Sequence, residues 1–595
     1  MKLIKPIIFY AVALYIGCLA YILLKESILI GAVLAASFLI IIFFTIEKKF
    51  AAIIFIFFIL GAASTFSYYN INSLSKIETI RITQMEEFYS IGTINNRTVL
   101  LKGNLQGLME GDKILGNGSF DYKPDYLKGR VGEFYVDKYK LYKKDLVSQL
   151  NFIKRKTYDK FLGYLGEKNT AIIMSLCFGE TSYLSESQKD DFKNLGVVHA
   201  VSVSGFHMAI IYKLLEGILG IWPSMFISFV YVILTGAQPA TIRAFIMILI
   251  LKLSKKLYKN YDGLSALSLS SIIILISRPF YAVNLGFMLS YLSTLGIILY
   301  YNKIRRAFYK LPKSINESLS ITLSAQVFSA PYASLAMQNV SFGFILGNLI
   351  LLPMYTWLVV AGNAALILMN IDFLFKLLCK FIGIIIIILE GAQFVLLKIT
   401  PSAQYVSYIE SIALLSIIIS FILVKKGFNK FKSVPIVMLV LILSQYYSFF
   451  PKIQYVNAGA VNAVVVGYRT EKILIYNGNR INDENLKVLK ERFRITKLAD
   501  NSKQDVIIRL KKNYSIRTIN KLTFNKNSID LEVFNKKFKT IMSSNTEAFE
   551  QTDLNETDVI ILPKNRYYYS SISLTQRFDI KSFKIMFNRV YSVRI

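Results

Sequence analysis

Histidine is almost missing from this chain. Only His199 and His207 occur in 595 residues, and none follows His207. A hydrolytic centre held by imidazole nitrogens is thereby excluded from the C-terminal half, because such a site needs several of them to hold its metals and acidify the attacking water. Cysteine offers no substitute: Cys18, Cys177 and Cys379 lie far apart in apolar surroundings. They read as small buried hydrophobes, forming neither a disulfide framework nor a metal site. The acids of the C-terminal segment show no tight clustering, so an all-carboxylate magnesium site has no support either. Charge as a whole is scarce, 18% of residues against 54% hydrophobic. That balance excludes an ordinary soluble protein.

What is abundant is the long apolar run. Ile53–Leu60, Ile384–Leu389 and Val437–Leu443 sit inside stretches of the roughly 18 or more residues that a helix needs to cross the hydrocarbon layer. Spans are predicted near 6–24, 27–45 and 50–69. A second series is predicted near 197–220, 222–236, 239–253, 263–278, 284–302, 318–337, 342–360, 371–399 (as one or two pieces), 405–424 and 433–450. Residues 6–24 resemble a signal peptide, but no small-residue cleavage site follows, so a retained helix is expected.

The scarce acids leave a formal net charge of +31. Lys48 and Lys49, Lys252 to Lys259, Lys303 to Lys310, and Lys425 to Lys432 fall in short loops, as cytoplasmic topology determinants do. This assigns residues 70–148 and the tail from 451 to the opposite, extracytoplasmic side. The tail keeps a basic excess, about 26 Lys and Arg against about 14 Asp and Glu, that loop topology does not explain.

The organisation expected is therefore a polytopic α-helical membrane protein with two smaller domains. Residues 1–69 form N-terminal transmembrane helices. Residues 70–148, with their repeated glycine turns and short β-prone runs, form a small β-barrel-like domain. Residues 149–195 are an amphipathic helical lead-in able to lie along the membrane surface. Residues 196–450 are the main membrane block, and 451–595 an α/β domain.

Both histidines lie in one segment, Gly196-Val-Val-His199-Ala-Val-Ser202-Val-Ser204-Gly205-Phe206-His207. Spaced eight apart, they fall near one face if the helix is continuous. Such a polar stripe serves either as helix-packing glue or as the lining of a wet path. Ser204 and His207, three apart, could also pair as nucleophile and base. Gly236, Pro239, Pro331 and Pro353 break other spans, which is tolerated at membrane depth only where backbone is buried or lines a cavity. Arg243 lies in an apolar helix and either snorkels or faces the bundle interior.

These residues resemble the ComEC family of competence proteins. The segment from His199 to His207 is similar to that family's His-x-x-x-x-Ser-Gly-x-His signature, with Gly179-Glu180 as its lead-in. Three further elements follow in the family's order: Thr235-Gly236…Pro239…Arg243-Ala244, then Asn284…Gly286-Phe287…Ser290, then Gln326…Pro331 with Asn348…Pro353. Asn284 and Met288 depart from the family's usual Asp and Gln. The resemblance implies an inner-membrane channel importing single-stranded DNA during transformation. It also implies an OB-like character for the 70–148 domain, and partners among other competence proteins such as a DNA receptor and a cytoplasmic helicase. Membrane lipid surrounds such a protein, and self-association is open.

The tail resembles the family's metallo-β-lactamase-like domain with its chemistry removed. Asn457, Asn477 and Asn565 stand where metal-site motifs are usual, and no His-x-His-x-Asp-His stretch exists. No catalytic residue, metal or cofactor is therefore expected. Lys564, Arg566, Tyr567 and Tyr568 could contact a nucleic acid by stacking and phosphate pairing, or form a solvated basic surface. Two alternatives accompany the channel reading: a diverged, non-translocating relative with an envelope or regulatory role, and an intramembrane serine hydrolase.

Overall fold

The computed structural model describes residues 5–71, 74–85, 89–103, 105, 107–201, 203–457, 462–476, 483–500, 507–510, 514–519, 530–535, 538–543, 558–561, 579–586 and 589–593. Ser202, Lys564, Arg566, Tyr567 and Tyr568 lie outside them.

The first apolar runs fold as α1 (Pro6–Glu26), α2 (Ile28–Thr45) and α3 (Lys48–Tyr69). α1 and α3 pack through small residues. A methyl group on Gly17 would collide with the Phe58 carbonyl, and one on Gly61 with that of Leu14. Close backbone approach of this kind is what holds helices together where lipid removes the hydrophobic drive.

β1 (Ile77–Met85), β2 (Ser90–Ile94), β3 (Arg97–Gly103), β4 (Lys113–Asp121) and β5 (Arg130–Leu141) close into a barrel in the order β1-β2-β3-β5-β4. Alternate residues point inward, and Ile80, Ile82, Val99, Leu101, Ile114 and Phe134 fill the interior. The end of α3 holds the barrel: Tyr68 donates its hydroxyl to the Gly129 carbonyl at 2.9 Å and accepts the Thr98 N–H at 3.0 Å.

α4 (Leu146–Phe178) is kinked at Gly166, whose φ is +75°. Its second half corrects the expectation of a surface-lying lead-in. Thr170 to Phe178 are all buried, because Thr-Ala-Ile-Ile-Met-Ser-Leu-Cys-Phe has no polar face to leave at an interface. Cys177 packs against Gly362, where a methyl group would reach within 2.5 Å of the sulfur.

There follow α5 (Glu186–Asn194), α6 (Val198–Val201), α7 (Gly205–Leu219), α8 (Ile221–Leu234), α9 (Pro239–Lys256) and α10 (Gly263–Ser277). Next come α11 (Leu285–Ala307), α12 (Lys313–Met337), α13 (Phe344–Ile367), α14 (Asp372–Ile399), α15 (Tyr408–Lys425) and α16 (Val434–Tyr446). Among the described residues six helices are long and apolar enough to cross a membrane: α1, α2, α3, α11, α13 and α15, with α8 and α10 as shorter apolar helices. The 371–399 segment is one continuous helix. Its buried Phe375, Cys379, Ile382, Ile386, Leu389 and Leu396 keep the three-to-four spacing of a single packed face.

The chain divides into two compact units, Met1–Ala336 with Val340–Ala403, and Met337–Asn339 with Gln404–Ile595. In the second, a six-stranded and a five-stranded sheet share a core of Ile453, Val464, Val466, Ile475, Ile508 and Ile516. The alternate residues Val456, Val465 and Leu474 face α17 (Asp483–Phe493) through its Leu489. Strand alternation thus gives the first sheet two buried faces.

Candidate functional site

The expected span at 197–220 is not one helix. α6 ends at Val201 and α7 begins at Gly205, with Ser204 in extended backbone at φ −117° and ψ 172°. His199 and His207 therefore do not share a helical face. The break is satisfied locally: the Ser204 backbone N–H donates to His207 Nδ1 at 2.9 Å, and Ser204 Oγ lies 3.0 Å from the same nitrogen. An amide N–H can only donate, so Nδ1 accepts and the neutral ring carries its proton on Nε2. His207 acts here as the residue that reaches back to the start of its own helix, and it is buried at 1% exposure.

Gly205 opens α7 against α9. A Cβ there would lie 2.6 Å from Arg243 Nη2 and 3.2 Å from the Ala244 Cβ. A side chain there would push the guanidinium from this position, which ties the Ser-Gly step to the Arg-Ala step. Arg243 donates through Nε to Ser290 Oγ on α11 at 2.8 Å, and its Nη1 lies 3.6 Å from Met247 Sδ. Tyr261 and Tyr291 are its electrostatic neighbours. Among the described residues no carboxylate pairs with Arg243.

The other elements converge on the same place. Gly179, in the left-handed region at φ +79°, faces the Gln238 side chain; a Cβ would meet its Nε2 at 3.1 Å and Val203 at 3.4 Å. Glu180 beside it pairs with Lys154 of α4. Thr235 to Ala237 make the turn that separates α8 from α9, with Gly236 and Ala237 both at positive φ, and Pro239 opens α9 at a position where its missing N–H is not needed. Asn284 caps α11 by accepting the Phe287 N–H at 3.0 Å. A Cβ on Gly286 would lie 3.9 Å from the Pro239 ring. Four sequence elements separated by up to about a hundred residues thus form one cluster.

Both departures from the family pattern acquire a reason. Asparagine caps a helix as well as aspartate does, so Asn284 keeps the geometry and gives up only the charge. Met288 packs with Phe287 and Tyr291 in an apolar cluster, where an amide would need partners.

The remaining candidates are used elsewhere. Gln326 accepts from Ser329 at 3.2 Å, and Pro331 is buried inside α12. Asn348 is buried beside Gly347, which packs on Leu195 and Val197, and Pro353 is exposed on α13. Sequence reasoning missed Met247, although its i+4 spacing from Arg243 was a usable signal. It also missed Lys154, which only tertiary folding brings to Glu180.

Helix geometry sets the distance between Arg243 and the next cation on its helix. Lys252, on the same helix as Arg243, pairs with Glu216 at 2.5 Å. Nine residues separate it from Arg243, roughly 13–14 Å along the axis. No group of metal-ligating side chains occurs among the described residues.

Residues 176–429 match the family model described as Competence protein. Over 210 residues the chain is 27% identical to ComE operon protein 3 of Bacillus subtilis (strain 168), a stretch covering 34% of this chain. It spans 26% of that relative, about a quarter of its length. No solved structure matches the chain significantly. With its motifs gathered at one centre and the match running through them, residues 176–429, a little under half of the chain, are similar to the Competence protein family.

Proposed function

We propose that the membrane block carries single-stranded DNA across the bacterial cytoplasmic membrane during natural transformation, with Arg243 as a phosphate contact on the way. One observation carries this reading. The guanidinium of Arg243 is packed against the N-terminal residue of α7 inside the apolar helix bundle, with neutral acceptors and no carboxylate among the described residues. A helix N-terminus carries partial positive charge. Two positive centres side by side in a low-dielectric medium repel each other, and a passing anion relieves that repulsion. Interrupted helices whose N-termini face anionic cargo at the midplane are a recurrent transporter device.

The orientation follows the same logic. Lys5 pairs with Asp262 at 2.5 Å, placing the start of α1 and the basic 252–259 loop at one end of the bundle. The barrel meets the other end of α3, so it faces the exterior when the basic end is cytoplasmic. The strand order of the barrel supports an OB-like domain, and two facing sheets with α17 outside them support a metallo-β-lactamase-like tail stripped of its ligands. The Ser204–His207 pair serves as a helix cap, since a fixed backbone donor already occupies Nδ1; we read no hydrolase in it and assign the chain no enzymatic step. A DNA receptor and a helicase would be the partners.

The test is uptake of labelled DNA by a transformable bacterium lacking its own channel and expressing this chain. We expect entry with the natural sequence, loss with Arg243→Ala, and partial entry with Arg243→Lys, all at equal membrane insertion. Uptake unaffected by Arg243→Ala would remove the phosphate role. No uptake by any form, with partners supplied from the same source, would favour the diverged, non-translocating reading.

A further inference from the structure

At the basic end of the bundle, away from Arg243, lies a cavity of about 420 Å³ between the α7–α8 turn and the last turns of α9. Its lining is of two kinds. Ile221 and Met225 of α8 and Leu249 and Leu253 of α9 supply apolar lining, and Lys252, Lys255 and Lys256 of the same α9 end supply the basic part. Glu216 also lines it, but bonds Lys252 at 2.5 and 2.7 Å, so that pair is neutral as a unit. Lys255 and Lys256 are exposed, and no carboxylate forms an ion pair with either among the described residues. Trp222 is 53% exposed, and Lys256 Nζ lies 4.7 Å from its ring centre.

We propose that this cavity binds one anionic phospholipid of the cytoplasmic leaflet, its headgroup phosphate between Lys255 and Lys256 and an acyl chain along Leu249 and Leu253. The occupant must be amphiphilic. A small free anion would gain nothing from the apolar lining, and a neutral lipid would gain nothing from the two surface lysines. An indole beside a lysine cluster is also what helix ends present at the headgroup level, and basic pockets between membrane helices are suited to anionic headgroups. The proposal does not depend on what the membrane block carries.

The chain has two tryptophans, Trp222 and Trp357, so Trp357→Phe isolates the indole of the cavity. The full-length variant is reconstituted in phosphatidylcholine vesicles containing phosphatidylglycerol. In one set the phosphatidylglycerol carries brominated acyl chains; in the other the same mole fraction of phosphatidylcholine carries them. A bound anionic lipid makes bromine on phosphatidylglycerol the stronger quencher, with a preference on the order of tenfold from two surface lysines. Lys255→Gln with Lys256→Gln should bring the two sets together, and inorganic phosphate should not compete. Equal quenching in the starting variant, or a preference that survives loss of both lysines, would overturn the site. Displacement by inorganic phosphate would show an anion site without lipid selectivity, and so overturn it too.

Discussion

Gly205 and Arg243 illustrate how narrow the tolerance is at single positions. A methyl group on Gly205 occupies the place of Arg243 Nη2, so Gly205→Ala should move the guanidinium while leaving α7 and α9 folded. We expect a chain with Gly205→Ala to insert normally and to lose DNA entry nearly as fully as Arg243→Ala does, measured by protected labelled DNA. At Asn284 the prediction separates cap from charge. Asn284→Asp should leave thermal stability close to that of the parent, whereas Asn284→Ala should cost about 1 kcal/mol through loss of the α11 cap, read from the unfolding midpoint in detergent. The residue types were legible in the sequence. Their meeting was not, because Gly205, Arg243 and Ser290 come from three helices and no local period links them.

Between elements, the barrel is latched to α4 by one carboxylate with two tasks. Asp145 accepts the Ser148 N–H at 3.0 Å as the α4 cap and binds Arg81 of β1 through both guanidinium nitrogens. The Arg81 guanidinium holds the Asp145 carboxyl well below the usual carboxylate range. A depressed folded-state pKa gives stability that is present above the unfolded value of about 3.9 and is lost as pH falls through the folded one. Because the pair is partly exposed, the coupling is worth no more than about 1 kcal/mol. Hydrogen exchange of β1 and early α4 amides should therefore be faster in Asp145→Asn than in the parent at pH 7. The difference should shrink as the pH is taken well below 4. Elements of this kind were largely legible: the barrel strands follow their period-two pattern and glycine turns. The break before α7 was not, because an apolar run with two serines reads as one helix until the Ser204–His207 cap is seen.

For the larger units, the most consequential contact in the second is the clamp of Arg494. It binds both oxygens of Glu410 at 2.8 Å, and Tyr446 donates to the same carboxylate at 3.1 Å while its ring lies 4.4 Å beneath the guanidinium. Glu410 already serves in the α15 capping box with Ser407. Its removal should thus release the sheet domain from α15 and α16 together. Arg494→Ala should cost about 2 kcal/mol, since a largely buried carboxylate loses its charged partner. The expected readout is faster proteolytic release of the tail, with Glu410→Gln adding little to the loss already caused by Arg494→Ala.

The sequence by itself determined the membrane class, the order of helices, barrel and sheet domain, and the want of imidazole ligands in the tail. These follow from composition and periodicity, which are local and need no partner. It also singled out the motif residues, since glycine, proline, histidine and arginine are costly in apolar helices and stand out there. Tertiary structure alone decided which of them meet. It gathered Gly179, Gly205, Arg243 and Ser290 in one cluster, sent Gln326, Asn348 and Pro353 to other duties, and drew Thr170 to Phe178 into the core. Those outcomes rest on helix packing and on where each interrupted helix starts, which are properties of several segments at once.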